Sequence, residues 1–483
     1  MSTGKPYDAI ILGAGFSGLL AAALLAKRGR QVLVLEEEPT AGGLSYQEPR
    51  EGFTHVQGPS LFLGFERDGL YDRLFMELGL SLSLLKKEGG FFQKSSPPFQ
   101  VVLPHHRVNF YTEPGELLYE LGREFRNETR AIRALINEID RWDAILYPVF
   151  HLPPKHPPRD LGERLDRIYE GLKRWAALRG PRHQKAAAFL EPFGLGGEFH
   201  RGLEMLLVLF TGRTLTEATG LDLLLLLSLI RREVVAVRGG VSRLSELLIG
   251  VIEKYKGDVI FESPLEDLVV QQRRVTAIRA KERRFPVAGN VIVNLPVSRL
   301  PRPRKERLFL SFYFSINSGM LPPAMSEHLI MTRDLQQPPL GDNLLFLIVG
   351  DGPRAETAPG PSGDDRTVLR ALVCFPESKG PSAEELKRLR DSIAVQLADL
   401  MPFSPPSLAF LGYDRSTARE ERRLSAVDKP LLSRAKGRGR GGTAYYTFPV
   451  RNLFLLPDEG HHPAADARPA RSALELVEAL RPL

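Results

Sequence analysis

Gly13, Gly15 and Gly18 stand between an apolar run that closes at Leu12 and a second one that opens at Phe16 and Ser17. At this spacing the first glycine permits a tight turn. The second lets backbone approach a pyrophosphate, and the third lets helix and strand pack closely. The chemistry is anion binding: free N–H groups and the positive end of a helix dipole meet a diphosphate. Glu36 follows at the end of another apolar run, where a carboxylate can accept both hydroxyls of a ribose and disfavours a 2′-phosphorylated nucleotide. Glu37 belongs to the same candidate cradle, although its place at the strand end turns it, like Glu38, toward solvent. Gly42 and Gly43, with Leu44, come next, and Gly58, Pro59 and Ser60 form a later turn. Positioning these groups requires a strand over 7–12, a helix over 17–28 and, after a turn at Gly29, a strand over 31–35. The reading is a dinucleotide-binding βαβ unit.

With 483 residues, the chain can form one large body or two to three domains. A single cysteine, Cys374, excludes an internal disulfide scaffold and fits a reducing compartment. Strand residues begin by Tyr7, which leaves no room for a secretory leader before them. The densest apolar run, 221–230, contains Asp222 and falls short of a spanning helix. The expectation is a cytoplasmic protein, with peripheral contact at the inner face of a membrane as an open alternative. The net charge of +7 is concentrated at 299–305 and 434–440. Solvated loops explain such clusters; anionic headgroups are the alternative. Nucleic acid is disfavoured because no aromatic residues interleave with the charge.

The run from Gln31 to Gly43, followed by Gly52-Phe53 and Gly58-Pro59-Ser60, resembles the N-terminal signature of FAD-dependent amine oxidases and phytoene desaturases. Residues 111–128, the pair Gly239-Gly240 within 238–244, and 259–265 are similar to the phytoene desaturase and carotenoid isomerase branch. The resemblance implies FAD as cofactor, with Glu36 on the adenosine ribose and Gly42 and Gly43 near the pyrophosphate. It also implies Gly58, Pro59 and Ser60 around the flavin ring, and the strand reaching Leu265 with its backbone against adenine. The implied fold is α/β, a Rossmann-like FAD-binding domain of the GR2 type with a mixed-sheet and helical substrate domain. Its segments would be 1–85, 234–300 and 446–483 for FAD, and 86–233 and 301–445 for substrate.

Within the substrate segments, 99–103, 107–111, 308–315, 344–349 and 367–375 read as strands, and 115–179 and 185–230 as largely helical. An arginine-rich turn at 283 precedes a strand at 291–293. Ser382 with Glu385 predicts a capping box that opens an amphipathic helix. Residues 203–210 and 221–227 are apolar on more than one face, which suits either a helical core or an apolar tunnel.

Asp458 falls where the family has its flavin-side aspartate. Here Pro457 precedes it and most of the following glycines are missing; proline offers no N–H to the flavin. His461 and His462 have no metal-ligand spacing with the other histidines, so no metal is expected. No catalytic acid, base or nucleophile is identified. The resemblance implies an oxidoreductase that desaturates or isomerises a hydrophobic isoprenoid chain by hydride transfer at flavin N5. An amine oxidase acting on a smaller metabolite and a non-redox nucleotide-binding descendant stay open, as does the oligomeric state.

Overall fold

The structure is a computed structural model and describes residues 6–43, 45, 47–50, 53–87, 91–93, 97–150, 179–294, 307–350, 366–375, 381–415, 436–438, 445–456, 464–465 and 468–480. Leu44, Asp458, the loop at 457–463 and the basic segment 299–305 lie outside these residues.

Strand β1 (Tyr7–Leu12) is buried along its last four residues, on both faces. A strand covered on both sides belongs in a parallel sheet between helical layers. Helix α1 (Phe16–Lys27) is buried at every position from Phe16 to Ala26. Such a helix, apolar all round, must be wrapped by protein. It packs against the helices Gly240–Lys254 and Arg468–Ala479 as well as the sheet. Strand β2 (Val32–Leu35) pairs in parallel with β1. On the far side of β2 lies Asp258–Ile260, and on the other side of β1 lie Arg283–Val293 and Leu453–Leu455, all parallel. The chain builds outward from β1 in one direction and then in the other. The carboxyl end of β1 is therefore a topological switch point, where ligands of such sheets bind.

Arg283–Val293 is one continuous strand, not a turn followed by a strand. The turn sits earlier, at Lys281 and Glu282, both at positive φ. Arg283 and Arg284 are exposed in the strand, where their charged ends reach water while the backbone pairs with Arg274–Ala280. Lys436–Arg438 and Tyr445–Thr447 extend the nucleotide sheet in antiparallel fashion, so the chain rejoins that sheet ahead of residue 446.

A second sheet of seven strands runs Ala409–Arg415, Leu308–Asn317, Arg366–Phe375, Gly341–Val349, His328–Met331, Phe99–Val102 and Arg107–Phe110. Alternation along the strands divides its side chains between two cores. Leu310, Phe312, Phe314 and Val373 meet the helix Ala383–Leu400. That helix has the expected Ser382–Glu385 capping box. Phe309, Ile330, Phe346, Ile348 and Leu372 face the helices Thr129–Phe150, Gly197–Thr211 and Gly220–Ile230. A small sheet joins Ala464–Ala465, Leu61–Leu63, Val234–Val237 and Phe92–Gln93.

Candidate functional site

The glycine turn after β1 is shaped by steric necessity. Gly13 has φ 100°, a region costly for any side chain. Its N–H donates to the carbonyl of Leu35 at 2.8 Å, tying the turn to β2. A Cβ on Gly18 would stand 2.6 Å from Oδ1 and 2.9 Å from Cβ of Asn294. Gly18 instead donates its N–H to that Oδ1 at 3.0 Å, and Nδ2 of Asn294 donates to the carbonyl of Leu456 at 3.3 Å. Gly15 occupies the N-cap of α1 and no side chain caps the helix. The first-turn amides at Phe16 and Ser17 are thus directed to the crevice, where an anion satisfies them.

Glu36 is 1% exposed and turned inward. Its Oε2 accepts from the Ala14 N–H at 2.6 Å and its Oε1 from the Glu38 N–H at 2.9 Å. A carboxylate has about four acceptor positions, so two backbone bonds leave capacity for ribose hydroxyls. Glu37 is exposed and contributes no wall to the crevice. Ser263, which the sequence reading did not single out, donates its N–H to the Glu36 carbonyl at 2.8 Å and is buried. Glu262, at φ 51°, makes the turn that brings it there. Leu265 lies just beyond, half-buried at the start of the strand Leu265–Gln271. The residues packed on Glu36 are therefore those of the turn before Leu265.

Gly42 and Gly43 both have positive φ. The Gly42 N–H donates to the Ala14 carbonyl at 2.9 Å, and a Cβ at Gly42 would lie 2.1 Å from the Ser45 carbonyl oxygen. Gly58, at φ 98°, could gain a Cβ only at 2.1 Å from Ser45 Oγ. Ser45 is the hub that joins the two glycine turns, and the sequence offered no motif for it. Pro59 and Ser60 are buried, and Ser60 Oγ has no hydrogen-bond partner among the described residues.

Gln57, directly before Gly58, links this region to the seven-stranded sheet. Its Nε2 donates to the Tyr313 hydroxyl at 2.9 Å, and that hydroxyl donates to the Val56 carbonyl at 3.1 Å. The same sheet face then passes beneath the helices, where Val101, Val108, Leu203, Leu206 and Leu227 line an apolar cavity. The helices 203–210 and 221–227 are thus both core and cavity wall: Met205 to Phe210 are buried, while Leu203, Leu206 and Leu227 form the lining. Among the described residues no group of His, Cys, Asp and Glu is placed to hold a metal, and no helix is long and apolar enough to cross a membrane.

Residues 11–78 match the model of the NAD(P)-binding Rossmann-like domain family. Over 450 residues the chain is 28% identical to phytoene desaturase of Cercospora nicotianae, a match covering 84% of the chain and 67% of that protein. The chain belongs to the phytoene desaturase-like part of the FAD-dependent amine oxidase superfamily. Among other phytoene desaturase-like relatives, the chloroplastic prolycopene isomerase 2 of an Oncidium hybrid cultivar is 48% identical over 137 residues. Those residues cover 28% of the chain and 22% of the isomerase. A solved putrescine oxidase variant covers 98% of both chains at a TM-score of 0.58 and 15% identity, which speaks for a shared fold. The phytoene desaturase-like chain is accordingly a flavoprotein oxidoreductase of mixed α/β architecture.

Proposed function

We propose that the protein binds FAD and desaturates or isomerises a hydrophobic isoprenoid, carotenoid-like chain. One observation carries this reading: a glycine-built dinucleotide crevice meets an apolar, helix-covered sheet face, with Gln57 and Tyr313 at the junction. The crevice fits FAD on physical grounds. Added Cβ atoms at Gly18, Gly42 and Gly58 would collide with its own walls, the helix above the phosphates lacks a side-chain cap, and Glu36 is buried beside it.

In this reading the amides of Phe16 and Ser17, after Gly13 and Gly15, hold the pyrophosphate, and Glu36 holds the adenosine ribose. Ser263 and the turn before Leu265 flank adenine. Gly42, Gly43 and Leu44 border the pyrophosphate. Gly58, Pro59, Ser60 and Asp458 surround the flavin. When bound, the flavin supplies hydride acceptance or donation at N5. What falls to the chain is to hold a carbon at that atom, fix its orientation and exclude water. The apolar walls at Leu203, Leu206 and Leu227 do the last of these. A lipid-like substrate also calls for peripheral contact with a membrane surface.

The test is anaerobic addition of a long isoprenoid alkene to FAD-loaded protein, read by the visible flavin spectrum and by analysis of the extracted chain. Bleaching with a new double bond, or geometric isomerisation with reduced flavin, is expected. A protein saturated with FAD that alters no hydrophobic polyene or alkene contradicts the reading.

A further inference from the structure

The cap-facing side of the seven-stranded sheet is not uniformly apolar. Direct strand pairing places Tyr313 opposite Arg370, Arg370 opposite Ile348, and Ile348 opposite His328. Paired residues share a face, as do residues two apart. This row therefore lies beside Ser311, Leu372, Phe346 and Ile330, under the helices. Tyr313, Arg370 and His328 are 0%, 1% and 0% exposed.

The row is tied down at one end and open at the other. Arg370 Nε donates to Ser311 Oγ at 3.2 Å, and Gln57 anchors Tyr313 beside Gly58. His328 is different. Both of its ring nitrogens are buried without a hydrogen-bond partner, and its ring stacks on Phe346 with centroids 5.9 Å apart. Burial, then the nearby Arg370 charge, lowers its pKa to about 3. The ring is consequently neutral at ordinary pH, with one N–H to donate and one nitrogen to accept. An imidazole left dry in this way is disfavoured unless something brings it a partner. One row further along, Ile330 pairs with Val101, and Val101 already belongs to the wall of the apolar cavity.

We propose that His328 and Arg370 form a head-group subsite, which takes an oxygen acceptor at the end of an otherwise hydrocarbon chain whose apolar remainder occupies the adjoining cavity. This rests on the reading that the chamber holds a long apolar chain, and it narrows the substrate to an oxygen-bearing one. The His328 N–H donates to the oxygen while the guanidinium lies in the same row. A pure hydrocarbon would leave the imidazole dry. An ammonium end would be repelled by Arg370.

The experiment titrates the FAD-loaded protein with four C20 isoprenoids: geranylgeranoic acid, geranylgeraniol, geranylgeranylamine and the matching hydrocarbon. Binding is read by protein fluorescence, and flavin bleaching is scored separately. The acid or the alcohol is expected to bind about 10-fold or more tighter than the hydrocarbon and the amine. A preference for the acid over the alcohol identifies a carboxylate; equal binding identifies a neutral oxygen. His328→Phe keeps the stack on Phe346 and should erase the preference without weakening the hydrocarbon. His328→Gln keeps an N–H donor and should retain it within a few-fold, which covers the case in which the phenylalanine variant does not fold. Wild-type protein that binds the hydrocarbon as tightly as both oxygenated chains overturns the subsite, as does a uniform loss of affinity in His328→Phe. Flavin bleaching by the hydrocarbon without an oxygen preference removes the subsite and leaves the oxidoreductase standing. Oxygen preference without bleaching by any chain does the reverse.

Discussion

The two sheets bury their polar groups on opposite terms. In the nucleotide sheet the buried carboxylate of Glu36 takes two backbone N–H groups supplied from within the same stretch of chain. In the substrate sheet the buried imidazole of His328 takes none, and its polar neighbours come from strands far away in sequence. The first arrangement is a preformed crevice, held rigid by its own backbone. The second is a surface completed by what it binds. A buried polar atom that lacks a partner is thus more informative about a ligand than one already satisfied.

The contrast can be broken from either side. The largest effect is expected from Leu206→Ala, which hollows the cavity wall at a residue 3% exposed. Loss of about 2–5 kcal/mol is expected, read from the urea midpoint, with FAD bound per folded chain unchanged. A parallel loss of FAD would mean that the two regions are not separable. Glu36→Ala attacks the other side. Deleting a charged hydrogen-bond acceptor costs about 1.5–3 kcal/mol, so the FAD dissociation constant should rise about 10- to 100-fold; chain binding is read in the same titration.

The pH dependence sharpens the contrast further. The pKa of His328 is about 3 in the fold against a model value of 6.5. Between these values the unfolded chain carries a proton that the folded one refuses, so stability falls as pH drops from 6.5 toward 3. The slope from this residue is at most about 1.4 kcal/mol per pH unit. His328→Phe should lack that contribution in denaturation curves collected across the window; an unchanged slope would show that His328 is not held neutral. The smallest effect belongs to Ser382→Ala, remote from both regions, which removes a capping box and should cost about 1 kcal/mol with no change in ligand binding.

What the sequence made legible follows the same division. Gly13 to Glu36 is local, and its turn, helix and strand rules act within one βαβ unit, so the crevice could be read directly. The Ser382 cap was legible for the same reason. The polar row was not, because Tyr313, His328, Ile348 and Arg370 are aligned only by long-range register. Its faint signal was a histidine and an arginine set in apolar strands, in His328–Met331 and Arg366–Phe375. Ser45 was missed because its role depends on two glycine turns closing on it from different directions. The arginine-rich strand at Arg283–Val293 was mistaken for a turn because long charged side chains there reach solvent while the backbone stays paired.

The central claim is that the crevice is built for the adenosine diphosphate half of a flavin dinucleotide. Calorimetric titration of the apoprotein with FAD, and separately with FMN, tests it most directly. One FAD per chain, with FMN binding at least 100-fold more weakly, is the predicted result. Equal affinity for the two flavins, or no uptake of FAD at all, would contradict it.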